Sequence, residues 1–123
     1  MTKERRIRRT DSAALALRYQ LDDCCRDGDI HAMVVADLDG LPLAVAGDAY
    51  ACDEVAARVV VAGSKISSFA GTVLGDGGHW DVHMQKLNLA GDELVICAVG
   101  GTASQRKRQI QRGAAGAMRI LAT

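Results

Sequence analysis

Between residues 11 and 26 apolar side chains recur at helical spacing, with Ala14, Leu17, Leu21 and Cys24 or Cys25 on one face, which predicts a first helix. Asp11 and Ser12 are suited to cap it, and Asp27-Gly28-Asp29 to end it. From Ile30 to Asp37 the helical period is lost. Ala32, Val34 and Ala36 occupy one parity while Met33 and Val35 occupy the other, so both faces are apolar, as in a central strand covered on each side. Asp39-Gly40 then supplies the positive φ of a short hairpin turn, and Leu43 to Val45 give a second, shorter strand.

The longest helical pattern runs from about Cys52 to Leu74, which would span roughly 34 Å. Val55, Val59, Ala62, Ile66, Phe69 and Val73 form one apolar stripe. Ala56, Val60, Gly63, Ser67, Ala70 and Gly71 form a second beside it, leaving Glu54, Arg58, Lys65 and Thr72 as a narrow polar strip. A single sheet covers only one stripe. The second predicts a partner helix from another copy of the chain, because small residues at Ala56, Gly63 and Ser67 let two backbones approach closely; the alternative is cover from a loop of the same chain.

Gly75-Asp76-Gly77-Gly78 breaks this pattern. Trp80, Val82 and Met84 then alternate with Asp81, His83 and Gln85, as in a strand with one wet face. The apolar parity moves to Leu87 and Leu89, which predicts a bulge or a break near Lys86. Glu93 to Val99 is apolar at both parities and reads as another central strand. Ser104 is suited to cap a last helix with Ile110, Ala114, Ala117 and Leu121 inward and Arg106, Lys107, Arg108 and Arg112 outward. Gly113 and Gly116 within it point to close packing on the sheet. The resulting order is helix, two strands, helix, two or three strands, helix.

Composition narrows the class. With 123 residues, 49% of them hydrophobic, the chain suits one domain, 11–123, preceded by a basic arm, 1–10. Aromatics make up only 3%, so small aliphatic side chains must build the core. No apolar run is long enough for a signal peptide or a membrane span, which predicts a soluble cytoplasmic protein. Cys24, Cys25, Cys52 and Cys97 lack Cys-x-x-Cys spacing and read as reduced thiols, with Cys97 a small core hydrophobe. A formal net charge of zero conceals +4 in residues 1–9, +5 in residues 103–123 and −9 between them.

Candidate chemistry is sparse. His79, Asp81 and His83 share a strand face at a spacing that suits a metal, but no further ligand completes a shell, and solvated polar side chains are the simpler reading. Gly71 to Gly78 is glycine-rich, yet it follows a helical pattern and lacks the Lys-Ser or Lys-Thr of a phosphate loop. No serine or cysteine has a recognisable base beside it in sequence, so no enzyme, cofactor or metal is expected. The basic arm and last helix suggest an alternative, electrostatic binding of nucleic acid or an anionic surface; without aromatic interleaving or a helix-turn-helix, solvated surface or an acidic protein partner accounts for them better.

The order of elements, the hairpin Asp39-Gly40-Leu41-Pro42-Leu43-Ala44, the doubly apolar middle helix and the closing Gly113-Ala114-Ala115-Gly116-Ala117-Met118-Arg119-Ile120-Leu121 after Gly100-Gly101 resemble the Roadblock/LC7 family over residues 11 to 121. They are most similar to its compact bacterial MglC-like members. The resemblance implies an α+β, profilin-like fold in which an antiparallel sheet lies between one central helix and two terminal helices. It also implies a non-enzymatic homodimeric adaptor for a Ras-like small GTPase of polarity or motility type, or for another Roadblock protein. Ala56, Val60, Gly63, Ser67 and Ala70 would pair the middle helices, and Val82, His83 and Met84 would form the sheet edge of the dimer. The charges of Glu54, Arg58, Lys65, Arg106, Arg108 and Arg112 are the candidate partner contacts. Relative to longer members, the segment after the middle helix reads as too short for three full strands.

Overall fold

A computed structural model describes residues 11–62, 67–75, 78–89 and 91–121. Helix α1, Asp11–Gly28, leads into the hairpin of β1, Ala32–Asp37, and β2, Pro42–Gly47. A π-helical turn, Ala51–Ala56, continues directly into the short helix α2, Ala57–Ala62. Three strands follow, β3 at Ser68–Gly75, β4 at Gly78–Leu89 and β5 at Asp92–Val99, and the long helix α3, Ala103–Leu121, closes the fold. All neighbouring strands are antiparallel in one sheet of order β2-β1-β5-β4-β3. The Asp-Gly hairpin is present, with Gly40 at φ 91° and the Asp37 carboxylate accepting from the backbone N–H groups of Asp39 and Leu41.

Alternation along the strands divides the apolar side chains between two cores. Met33, Val35, Leu94, Ile96 and Ala98 meet Leu17 and Leu21 of α1 and Ile110, Ala117 and Leu121 of α3 on one face. Ala32, Val34, Ala36, Val95, Cys97 and Val99 meet Val55, Ala56, Val59 and Val60 on the other. On α1 the buried position is Ala13 rather than Ala14. Gly113 lies against the sheet, where an added Cβ would come within 2.9 Å of Ile96; Gly116 lies instead against Gln20 of α1.

Three expectations change. The described part of the middle helix runs to Ala62, and the segment from Ser68, expected to carry that helix on to Leu74, forms β3 instead, giving three strands after it. Ser68 to Gly75 pairs in register with β4 from Gln85 to Gly78, and Phe69, Thr72 and Val73 favour that extended state over helix. Second, β4 carries no bulge near Lys86: its pairing with β5 is regular from Val82↔Val99 to Leu89↔Asp92. The parity changes because Val82 and Met84 enter the core under α2 whereas Leu87 enters the core under α1 and α3. Third, α3 is capped by Thr102, whose Oγ1 accepts from the Gln105 N–H at 3.2 Å, and Arg106 turns inward with only 8% of its surface exposed.

Candidate interaction surface

The pairing of β3 with β4 leaves the other side of β3 free of any strand among the described residues. Phe69, Gly71 and Val73 lie opposite Met84, Val82 and Trp80, so they share the α2 face of the sheet. Val73 packs into that core, while Phe69 lies over Gly71 and keeps 37% of its surface exposed. Gly71 permits this arrangement: a Cβ there would sit 2.8 Å from the Phe69 ring. Ser68, Ala70 and Thr72 point to the opposite face and are exposed, since α1 and α3 do not extend over β3.

The other flank of α2 is also open. A cleft of about 190 Å³ separates α2 from the hairpin, lined by Val34, Ala36, Gly40, Pro42, Val45, Ala57 and Val60 with Cys52 and Asp53 at one wall. Leu41 and Val61 are 65% and 59% exposed, and the Val61 side chain reaches towards Gly40. The fold therefore buries one layer under two long helices and leaves apolar surface on both sides of a short one.

The expected interface residues separate accordingly. Ala56 and Val60 are buried in the chain's own core beneath the sheet, so they do not form an outward stripe. Val82 and Met84 are likewise fully buried, and β4 is not an edge because β5 and β3 pair with its two sides. His83 is half-buried on the α3 face. Ser67 and Ala70 are exposed at and on β3, one of the two edge strands. Gly63 lies outside the described residues, as does Lys65. Sequence reasoning passed over Phe69, Val45, Leu41 and Val61; the alternation Phe69, Gly71, Val73 against Ser68, Ala70, Thr72 carried the strand signal.

Among the charged candidates, Glu54, Arg58 and Arg108 are exposed, and Arg58 Nε donates to the Glu54 carbonyl. Arg112 donates to the Asp27 carboxylate at 2.6 Å, tying α3 to α1. Arg106 Nη1 donates to the carbonyls of Gly100 at 3.0 Å and Gly101 at 2.7 Å, closing the loop before α3. Two cations of the expected basic face thus serve the fold. Burial, together with the nearby Arg106 and Lys107, lowers the pKa of His83 below its ordinary value. The four cysteines are free and buried, and burial pushes Cys52 up to about 11 and Cys25 and Cys97 up to about 12, far from a reactive thiolate. Among the described residues no three His, Cys, Asp or Glu side chains form a group able to hold a metal, and no helix is long and apolar enough to cross a membrane.

No protein-family model and no curated protein sequence matches the chain. Solved structures do. An MglB with a tetrameric arrangement superposes with a TM-score of 0.69 over 96% of each chain at 14% identity. The gliding protein MglB of Thermus thermophilus gives 0.66 over 96% of this chain and 97% of its own, also at 14% identity. Myxococcus xanthus MglB gives 0.62 over 98% of this chain and 92% of its own at 9% identity. A five-stranded antiparallel sheet between a short middle helix and two terminal helices is the Roadblock/LC7-type fold, and this chain has the fold of the MglB proteins.

Proposed function

We propose that this protein is a cytoplasmic, non-enzymatic homodimeric adaptor that regulates a Ras-like small GTPase of polarity or motility type, through contact with the GTPase or with another Roadblock protein. The observation that carries the reading is the sharing of one fold across nearly the whole of this chain and of MglB. An edge strand with no further strand beside it among the described residues, carrying the exposed Phe69, supports association through β3, and exposed Val61 extends the apolar surface to the hairpin side of α2. The sheet would then continue from one copy to the next, hiding an edge that is otherwise open to indiscriminate pairing. Ser67 and Ala70 remain in this interface. Glu54, Arg58 and Arg108 are exposed charges available for a GTPase or a second Roadblock protein.

Light scattering tests the first part and calorimetry the second. The native chain is expected at twice its monomer mass, and Phe69→Glu combined with Val61→Arg at monomer mass with an unchanged circular dichroism spectrum. A co-occurring Ras-like GTPase, loaded in turn with GDP and a GTP analogue, or a co-occurring Roadblock protein is expected to bind the dimer. A monomeric native chain that binds none of these overturns the proposal.

A further inference from the structure

The sheet has a second edge. β2 pairs with β1 on one side and, among the described residues, with no strand on the other. Edges are commonly blunted by charged side chains, whereas Pro42-Leu43-Ala44-Val45-Ala46-Gly47 carries none. Pro42 and a shift of register between Val35 and Ala36 interrupt the ladder only at the hairpin end. Beyond them the pairing is regular. The Asp48 N–H donates to the His31 carbonyl at 2.8 Å, and the pairs Met33↔Ala46 and Val35↔Ala44 keep that phase, so Ala44 and Ala46 bond to β1 while the backbone N–H and C=O of Val45 turn to the open side.

This edge borders the cleft between α2 and the hairpin. A strand laid beside β2 sets every second side chain on the α2 face next to Val45, where the cleft of about 190 Å³ has room for one large apolar side chain against Val34, Ala57 and Val60. The charge around it has one sign. Asp53 stands at the cleft wall, Asp39 is exposed at the hairpin tip and Asp48 is exposed at the other end of β2, while no Lys or Arg lines the cleft. Pairing β2 with the β2 of a second copy would bring two such acidic sets together, so charge selects against self-association here.

We propose that β2 and the adjoining cleft receive an extended basic segment of a partner protein, which adds a strand to the sheet, places one apolar side chain in the cleft and sets its Lys or Arg residues against Asp39, Asp48 and Asp53. Backbone bonds to Val45 fix the register of the added strand, the cleft selects its apolar residue, and the acidic rim selects the sign of its charge. β2 and β3 are opposite edges of the sheet, so a molecule paired through β3 keeps this site open. The inference therefore stands or falls apart from the dimer.

The test titrates the isotope-labelled full chain with the end-blocked peptide Arg-Lys-Val-Leu-Val-Lys-Arg. The Val45 amide is expected to shift downfield and to exchange more slowly, with shifts at Ala57 and Val60 and none at Ser68 to Val73. Asp53→Lys is expected to weaken binding about fivefold. Val45→Pro, which deletes an N–H that β1 does not use, is expected to abolish it with an unchanged circular dichroism spectrum; if that variant unfolds, Asp53→Lys still decides. Equal binding of the peptide Glu-Glu-Val-Leu-Val-Glu-Glu overturns the basic assignment, shifts confined to β3 overturn the placement, and no shift at millimolar peptide overturns the proposal. Val45 shifts that follow the concentration of the chain alone give the edge to a second copy and overturn it too.

Discussion

The two faces of the sheet are built to different standards of closure. On one, α1 and α3 run 18 and 19 residues, are joined at the surface by Arg112 and Asp27, and bring Gly113 and Gly116 to close contacts with Ile96 and Gln20. On the other, among the described residues, a π-helical turn and the six residues of α2 cover the middle of the sheet, with β3 on one side and the hairpin cleft on the other. Both faces bury a core, but the α2 face also keeps apolar side chains at the surface where another chain can reach them. Substitutions in either core should destabilise the protein, whereas those on the exposed margin of α2 and β3 should mainly change what it touches.

Ile110→Ala should test the closed face most severely. The side chain is fully buried, and its truncation is expected to cost about 2–5 kcal/mol in urea unfolding; a loss below about 1 kcal/mol would mean that this layer is looser than its packing indicates. Thr102→Ala removes the cap of α3 and should cost about 1 kcal/mol. Acid sharpens the boundary of the closed face at His83. Its folded pKa lies below the ordinary value of 6.5, so its contribution to stability is fully present above pH 6.5 and is lost as pH falls through the lower folded value. The urea midpoint should therefore drop as pH falls below 6.5, with a shallower drop in His83→Gln. Val61→Ser, on the open face, should change stability by less than about 0.5 kcal/mol while weakening the proposed dimer, as read by light scattering.

The sequence announced the closed face more clearly than the open one. Leu17, Leu21, Ile110, Ala117 and Leu121 recur at helical spacing in uninterrupted segments, and each is buried where that spacing placed it. β1 and β5 were legible for a different reason: apolar residues at both parities require cover on both faces, which only inner strands receive. The segment from Cys52 to Leu74 misled because Val55, Val59, Phe69 and Val73 fit a helical stripe, although Phe69, Gly71 and Val73 also alternate as a strand does. Local pattern does not decide between these; eight residues of pairing with β4 do. The interface residues inherited that error, since lengthening the helix placed Ala56 and Val60 on an outer face and left Val82 and Met84 at an edge. Arg106 was misplaced because its inward turn depends on two carbonyls in the glycine loop that spacing does not reveal.

The strand β4 belongs to both layers, with Val82 and Met84 sealed beneath one and Leu87 beneath the other. A one-residue slip of this strand would expel hydrophobic side chains from both cores at once, so its alignment is doubly fixed. β3 takes its own alignment from β4. The phase of hydrogen-bond donors and acceptors along the open edge is therefore dictated from deep inside the molecule, and a strand added there would find a rigid template instead of one that adjusts to fit.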